Sequence, residues 1–206
     1  MDNQNNINKT KYFTSENIDV TLEQNKSVRF GDYLDKLEVP SMIIVVKANE
    51  WDNYALLTID RDLIYSIVDV LLGGKKGKAH MPIEGRSYTT IERVLMERMA
   101  RVILNDLSAA FDPISPVKFR FERLETNPRF ASIARSANAA ILSRFHIEMD
   151  ERGGNIDLII PNATLEPVRD LLLQMFLGEK FSFFHLIGTV FIIIGIVLSN
   201  IKRQKI

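Results

Sequence analysis

Two stretches about a hundred residues apart follow the same order of elements, and any fold for this chain must accommodate both. From Pro40, "MIIVVKANEWDNYALLTID" holds two apolar, β-rich runs around a polar turn, the pattern of a hairpin. A helix follows, with Asp60 placed to cap it. Ile64, Ile67, Val68, Leu71 and Leu72 recur at i, i+3, i+4, i+7 and i+8, and Gly73 and Gly74 stop it. The second copy, "AAILSRFHIEMDERGGNIDLII", reads as strand, Gly-Gly turn and strand. Asn162 or Thr164 then caps a helix whose apolar positions Val168, Leu171, Leu172, Met175 and Phe176 repeat the template, with Gly178 as the stop. The repetition implies two related half-domains packed about a pseudo-twofold axis.

Between the halves lies "TTIERVLMERMARVILNDLSAAF", the longest helical pattern before the tail. Thr89 and Glu92 have the T-x-x-E spacing of a capping box, which sets the start at Thr89. The periodicity predicts a buried stripe of Ile91, Leu95, Met99 and Val102, with Arg93, Glu97 and Arg101 on the solvated side. A strand follows, alternating Val117, Phe119 and Phe121 with Lys118, Arg120 and Glu122. Helices alternating with hairpins predict an α/β sandwich with a mainly antiparallel sheet.

The residue inventory excludes several chemistries. Among 206 residues, 26 Lys and Arg balance 26 Asp and Glu, so no net field draws the chain to nucleic acid. There is no cysteine, hence no disulfide, thiolate metal site or cysteine nucleophile. His80, His146 and His185 are far apart in sequence and offer no metal shell. Asp60 and Asp62 sit where a first helical turn uses carboxylates for capping and dipole complementation. No catalytic, cofactor or metal site is predicted.

The segment "LLGGKKGKAHMPIEGR" is more informative. Gly73, Gly74 and Gly77 with Lys75, Lys76 and Lys78 follow a helix, whereas a phosphate-cradling loop precedes one and ends in Lys-Ser/Thr. Two readings stand: a helix stop with a solvated turn, or an exposed loop whose glycines let a partner approach the backbone.

The two ends of the chain contrast with its body. Residues 1–11, rich in Asn and without an apolar core, read as a disordered start. From Phe181 to Ile201 no charged residue occurs, and about 20 apolar residues are enough to span a bilayer. Lys202, Arg203 and Lys205 form a basic end, which the positive-inside rule places on the cytoplasmic side.

The stretches "EWDNYALLTIDRDLIYSIVDVLLGGKKGKAHMPIEGRSYTTIERVLMERM", "SAAFDPISPVKFRFERLETNPRFASIARSANAAI" and "GGNIDLIIPNATLEPVRDLLLQMFLGEKF" resemble the middle domain of the FliM family of flagellar motor switch proteins. The resemblance covers roughly Tyr12 to Phe181. It implies a pseudo-symmetric α/β sandwich like that of the CheC phosphatases. It also implies a non-enzymatic interaction module for torque and rotation switching in chemotaxis, at the cytoplasmic face of the inner membrane in the flagellar basal body. Gly73, Gly74, Lys75, Lys76 and Gly77 match the family's glycine loop for a FliG-like rotor protein, and neighbouring FliM subunits would pack alongside in a ring. The CheC acid-amide pair is absent, since Glu92 is followed three residues on by Leu95 and Glu97 by Ala100. The resemblance places residues 12–180 in a middle domain lacking its first helix, without the flanking parts through which the family meets FliN and phosphorylated CheY. The tail is similar to the last transmembrane helix of drug/metabolite transporters of the EamA type. The expectation is therefore a truncated switch module fused to a membrane span, or else a nonfunctional chimeric or frameshifted fragment.

Overall fold

A computed structural model describes residues 18–71, 85–149 and 152–171. The chain divides into two compact units, residues 1–167 and 168–206. The first contains β1 (Ile18–Arg29), α1 (Phe30–Leu34), β2 (Met42–Ala48), β3 (Asn53–Ile59), α2 (Arg61–Leu71) and α3 (Thr90–Phe111). It continues with β4 (Phe119–Glu125), a 3-10 turn (Pro128–Ala131), β5 (Ala139–Met149), β6 (Arg152–Pro161) and the short α4 (Asn162–Leu165). In the second unit, among the described residues, Val168 is buried and Leu171 is exposed. That exposure departs from the predicted apolar face. Leu172, Met175, Phe176 and the Gly178 stop lie outside the described residues, as do the start at residues 1–11 and the tail.

The six strands form one sheet in the order β1-β5-β6-β3-β2-β4, and every neighbouring pair is antiparallel. The two hairpins are the predicted ones, β2–β3 and β5–β6. They meet at the centre through the pairs Leu56–Ile159, Leu57–Leu158, Thr58–Asp157 and Ile59–Ile156. Strand, short helical turn, hairpin and helix occur twice in that order, which gives the pseudo-twofold relation. The outer strands exchange: β1 pairs with the second hairpin and β4 with the first. Periodicity within a segment carries no information about that exchange.

Because side chains alternate across a strand, the sheet has two faces with different covers. Ile43, Val45, Leu56, Leu142 and Ile159 pack with Phe30 and Tyr33 of α1 and with Ala131. On the other face, α2 lies against β6 and α3 against β4. Beside α3, Trp51, Phe111 and Phe119 stack edge to face with centroids 5.4 to 5.5 Å apart.

Four predicted details differ from the structure. On α2 the buried residues are Leu63, Ile64 and Ile67, while Leu71 is exposed, so sheet contact is concentrated in the first two turns. On α3 the buried stripe is Glu92, Met96, Ala100 and Leu104, and Ile91 is exposed. A charge and a small residue hide that row from apolar periodicity, but Glu92 is held by partners that let it face inward. Gly153 and Gly154 are not a turn, since both lie within β6. A Cβ on Gly153 would collide with the Ile147 carbonyl oxygen. One on Gly154 would collide with the Asp60 carboxylate and approach the Leu63 nitrogen to 2.7 Å. Finally, α4 has no side-chain cap, because Thr164 is fully buried and donates instead to the Tyr54 carbonyl at 2.7 Å.

Close approach of α2 to β6 therefore requires the absent side chain at Gly154. Gly154→Ala is expected to destabilise the protein by about 1–3 kcal/mol through overpacking. Gly85→Ala, at a positive φ but with open space around it, should cost about 1 kcal/mol by strain alone. Urea unfolding of the two variants checks the order; equal losses would contradict the packing argument.

Candidate partner-binding surface

The loop carrying Gly73, Gly74, Lys75, Lys76 and Gly77 lies outside the described residues, but both of its anchors are within them. On the incoming side, α2 ends at Leu71, and Asp69 is paired with Arg152 of β6 at 2.5 Å. On the outgoing side, Gly85 has φ +76, a conformation that glycine adopts without strain. Arg86 follows, and its guanidinium joins the two helices. It donates to Glu92 of α3 at 2.5 Å and to the Tyr65 hydroxyl of α2 at 3.2 Å, and it lies 5.6 Å from the Tyr65 ring centroid.

Glu92 is the pivot of this arrangement. It completes the predicted capping box: the Thr89 N–H donates to its carboxylate at 2.6 Å, and its own N–H donates to the Thr89 hydroxyl at 3.3 Å. Burial pushes its carboxyl up, but the hydrogen bonds from Thr89 and Arg86 outweigh burial and hold it below the ordinary range. Near the two described ends of the segment, Leu71 of α2 and Ile91 and Val94 of α3 are exposed apolar residues. Sequence reasoning found the capping box but not Arg86 or Tyr65, because neither spacing nor periodicity signals a bridge between two helices.

The other candidates fall into structural roles. The Asp60 carboxylate accepts from the Leu63 N–H at 2.8 Å and from the Asn155 N–H at 2.6 Å, so it caps α2 and ties it to β6. Burial raises its pKa despite those bonds. Asp62 is exposed, and its charge adds a lesser push to the rise at Asp60. His146 lies on β5 with Nδ1 2.9 Å from the Asn155 side-chain oxygen, while His80 and His185 lie outside the described residues. Among the described residues no group of three or more His, Cys, Asp or Glu could hold a metal.

A cavity of about 310 Å³ opens beside Arg61, Tyr88, Arg144 and Asp157. Its polar groups are largely engaged with one another. Arg144 grips Asp157 with two bonds of 2.7 Å, and the Tyr33 hydroxyl reaches Thr58 at 2.5 Å and Asp157 at 3.1 Å. Burial, reinforced by the Asp157 charge, drives the Tyr33 hydroxyl far above its ordinary range, so it remains neutral. This network is a satisfied polar insert in the sheet's centre. A free acid or base poised for chemistry is not part of it.

The sequence matches the family described as flagellar motor switch protein FliM over residues 5–177. The chain belongs to the FliM family. The match begins ahead of Tyr12 and ends within the predicted last helix of the body. FliM of Caulobacter vibrioides strain NA1000 is 61% identical over 169 residues, covering 82% of this chain and 45% of that protein. FliM of Pseudomonas aeruginosa is 31% identical over 154 residues, covering 75% of this chain and 47% of that protein. The chain thus spans about half the length of the curated relatives it matches. Among solved structures, the FliM middle domain of Vibrio alginolyticus superimposes with a TM-score of 0.71 at 25% identity, covering 82% of this chain and 93% of that one. The FliM chain in the FliG-FliM complex from H. pylori gives 0.71 at 18% identity over 79% of this chain and 90% of that one, which establishes the shared fold. The family fold accounts for the six-stranded antiparallel sheet and its flanking helices.

Since the folded-state pKa of Glu92 is depressed below its usual 4.5, its contribution to the stability of this protein is complete above that value. It is lost as pH falls through the folded pKa. A Glu92→Gln variant should therefore be less stable near neutrality and show a shallower loss of Tm on acidification from pH 6 to about pH 3. Parallel acid limbs for the two proteins would show that Glu92 does not carry this linkage.

Proposed function

We propose that this chain is a non-enzymatic protein-interaction module of a flagellar motor switch, serving torque generation and rotation switching in chemotaxis. In this reading it binds a FliG-like rotor protein through Gly73, Gly74, Lys75, Lys76 and Gly77. Neighbouring copies pack side by side with it in a ring at the cytoplasmic face of the basal body. The observation that carries the reading is membership of the FliM family across residues 5–177. The solved H. pylori complex of FliG with FliM supports the choice of partner. The residues after the loop add a physical reason: Arg86 bridges Tyr65 of α2 and Glu92 of α3, and the capping box fixes the start of α3, so the chain re-enters the body at a held position.

An Asp at Gly74 or Gly77 would place a charged side chain where close approach is needed. Gly74→Asp and Gly77→Asp should each reduce capture of the chain by immobilised FliG at least about tenfold, with little change in Tm. Undiminished capture by both variants would leave the loop as a mere connector.

The reading also assigns residues 12–180 to the switch body and Phe181–Ile201 to a membrane span. The span's support is its uncharged apolar sequence. Among the described residues no helix is long and apolar enough to cross a membrane, and the tail lies outside them. The full chain is expected to stay with bacterial membranes through alkaline extraction, whereas a version ending at Phe181 is released. Release of both would remove the span from the proposal.

A further inference from the structure

Asp60 and Arg61 are successive residues at the start of α2, both line the cavity of about 310 Å³, and their charges are poorly compensated. The two Asp60 oxygens accept the backbone N–H groups of Leu63 and Asn155, and among the described residues no cation pairs with them. A carboxylate has about four acceptor positions, so two stay open. Burial opposes the Asp60 charge most, and the charges of Asp62 and Asp157 add to it. The Arg61 side chain is only 17% exposed. Its carboxylate partner, Glu38, is 86% exposed and stands 3.9 Å away, too far for a hydrogen bond. So open a pair is weak.

The other charges around the cavity are already answered. Arg144 holds Asp157 through two bonds of 2.7 Å, and the Tyr33 hydroxyl reaches the same carboxylate at 3.1 Å. Lys36 is exposed to solvent. The Tyr88 hydroxyl donates to the Pro40 carbonyl at 3.3 Å, with the Arg61 charge beside it. Leu37, Pro40 and Ile59 give the wall an apolar part. A plain anion at Arg61 would face Asp60, and a plain cation at Asp60 would face Arg61, so each is opposed by the neighbouring charge. A molecule that carries both signs a few bonds apart meets both. The volume lies at the low end of small-molecule pockets, which run from about 300 to 1,000 Å³, so that molecule is small.

We propose that this cavity binds a free aliphatic α-amino acid as its zwitterion. The Arg61 guanidinium donates to the α-carboxylate, Asp60 accepts from the α-ammonium, and the side chain packs toward Leu37, Pro40 and Ile59. Occupancy also acts on the fold. The ammonium favours the ionised form of Asp60, the form that accepts from Leu63 and Asn155, so a bound ligand tightens the joint between α2 and β6.

The probes are L-leucine, isocaproate, which is leucine without its ammonium, and L-leucinamide, which lacks the carboxylate. In calorimetric titrations of the full chain in detergent micelles, leucine should bind at least about tenfold more tightly than either analogue. Arg61→Gln should lose about tenfold or more of the leucine affinity and leave leucinamide binding unchanged. Asp60→Asn keeps acceptors for the backbone but removes the charge, so it should weaken leucine binding without weakening isocaproate binding. Thermal unfolding of each variant shows whether it is folded. Should Asp60→Asn fail to fold, the three ligands on the parent and on Arg61→Gln still decide. Isocaproate binding as tightly as leucine overturns the role of Asp60, and leucinamide doing so overturns that of Arg61; either result removes the zwitterion. Undiminished leucine binding by folded Arg61→Gln, or no leucine binding to the parent up to about 10 mM, overturns the proposal as well.

Discussion

Everything in the body hangs on the pairing of β3 with β6, where the two hairpins become one sheet. Three of its four residue pairs are apolar, and the fourth, Thr58 with Asp157, puts a carboxylate in the middle of the layer. An isolated buried carboxylate there would be strongly destabilising. The bidentate Arg144 and the Tyr33 hydroxyl satisfy it, and they come from β5 and α1, so closure of the central pair recruits elements from both halves. Such a network specifies register as well as stability, because a one-residue slip would turn Asp157 to the other face and away from both partners.

The second constraint is the approach of α2 to β6. Gly154 has no side chain to hold the helix off, and Asp60 uses one oxygen to cap α2 and the other to accept from the backbone of Asn155. Cap, glycine and strand form one joint. The same helix leads through the glycine loop to α3, and the Arg86 bridge to Tyr65 and Glu92 gives that loop two fixed ends.

The sequence by itself determined the two hairpins, the helix after the first, the start of α3 at Thr89 and the repetition that relates the halves. Each is a local pattern of alternation, helical spacing or capping, and local patterns survive without knowledge of the rest of the chain. It also named the glycine loop, through composition and resemblance, although the loop's own geometry lies outside the described residues. Tertiary structure alone decided the exchange of β1 and β4 between halves, since strand pairing across a hundred residues leaves no periodic trace. It decided which side of α3 is buried, because Arg86 and Thr89 neutralise Glu92 and so allow a charged row to face inward in place of Ile91. It also decided that Gly153 and Gly154 extend a strand. Their need for glycine comes from the Ile147 carbonyl and from α2 pressing on β6, contacts that exist only once the chain has folded.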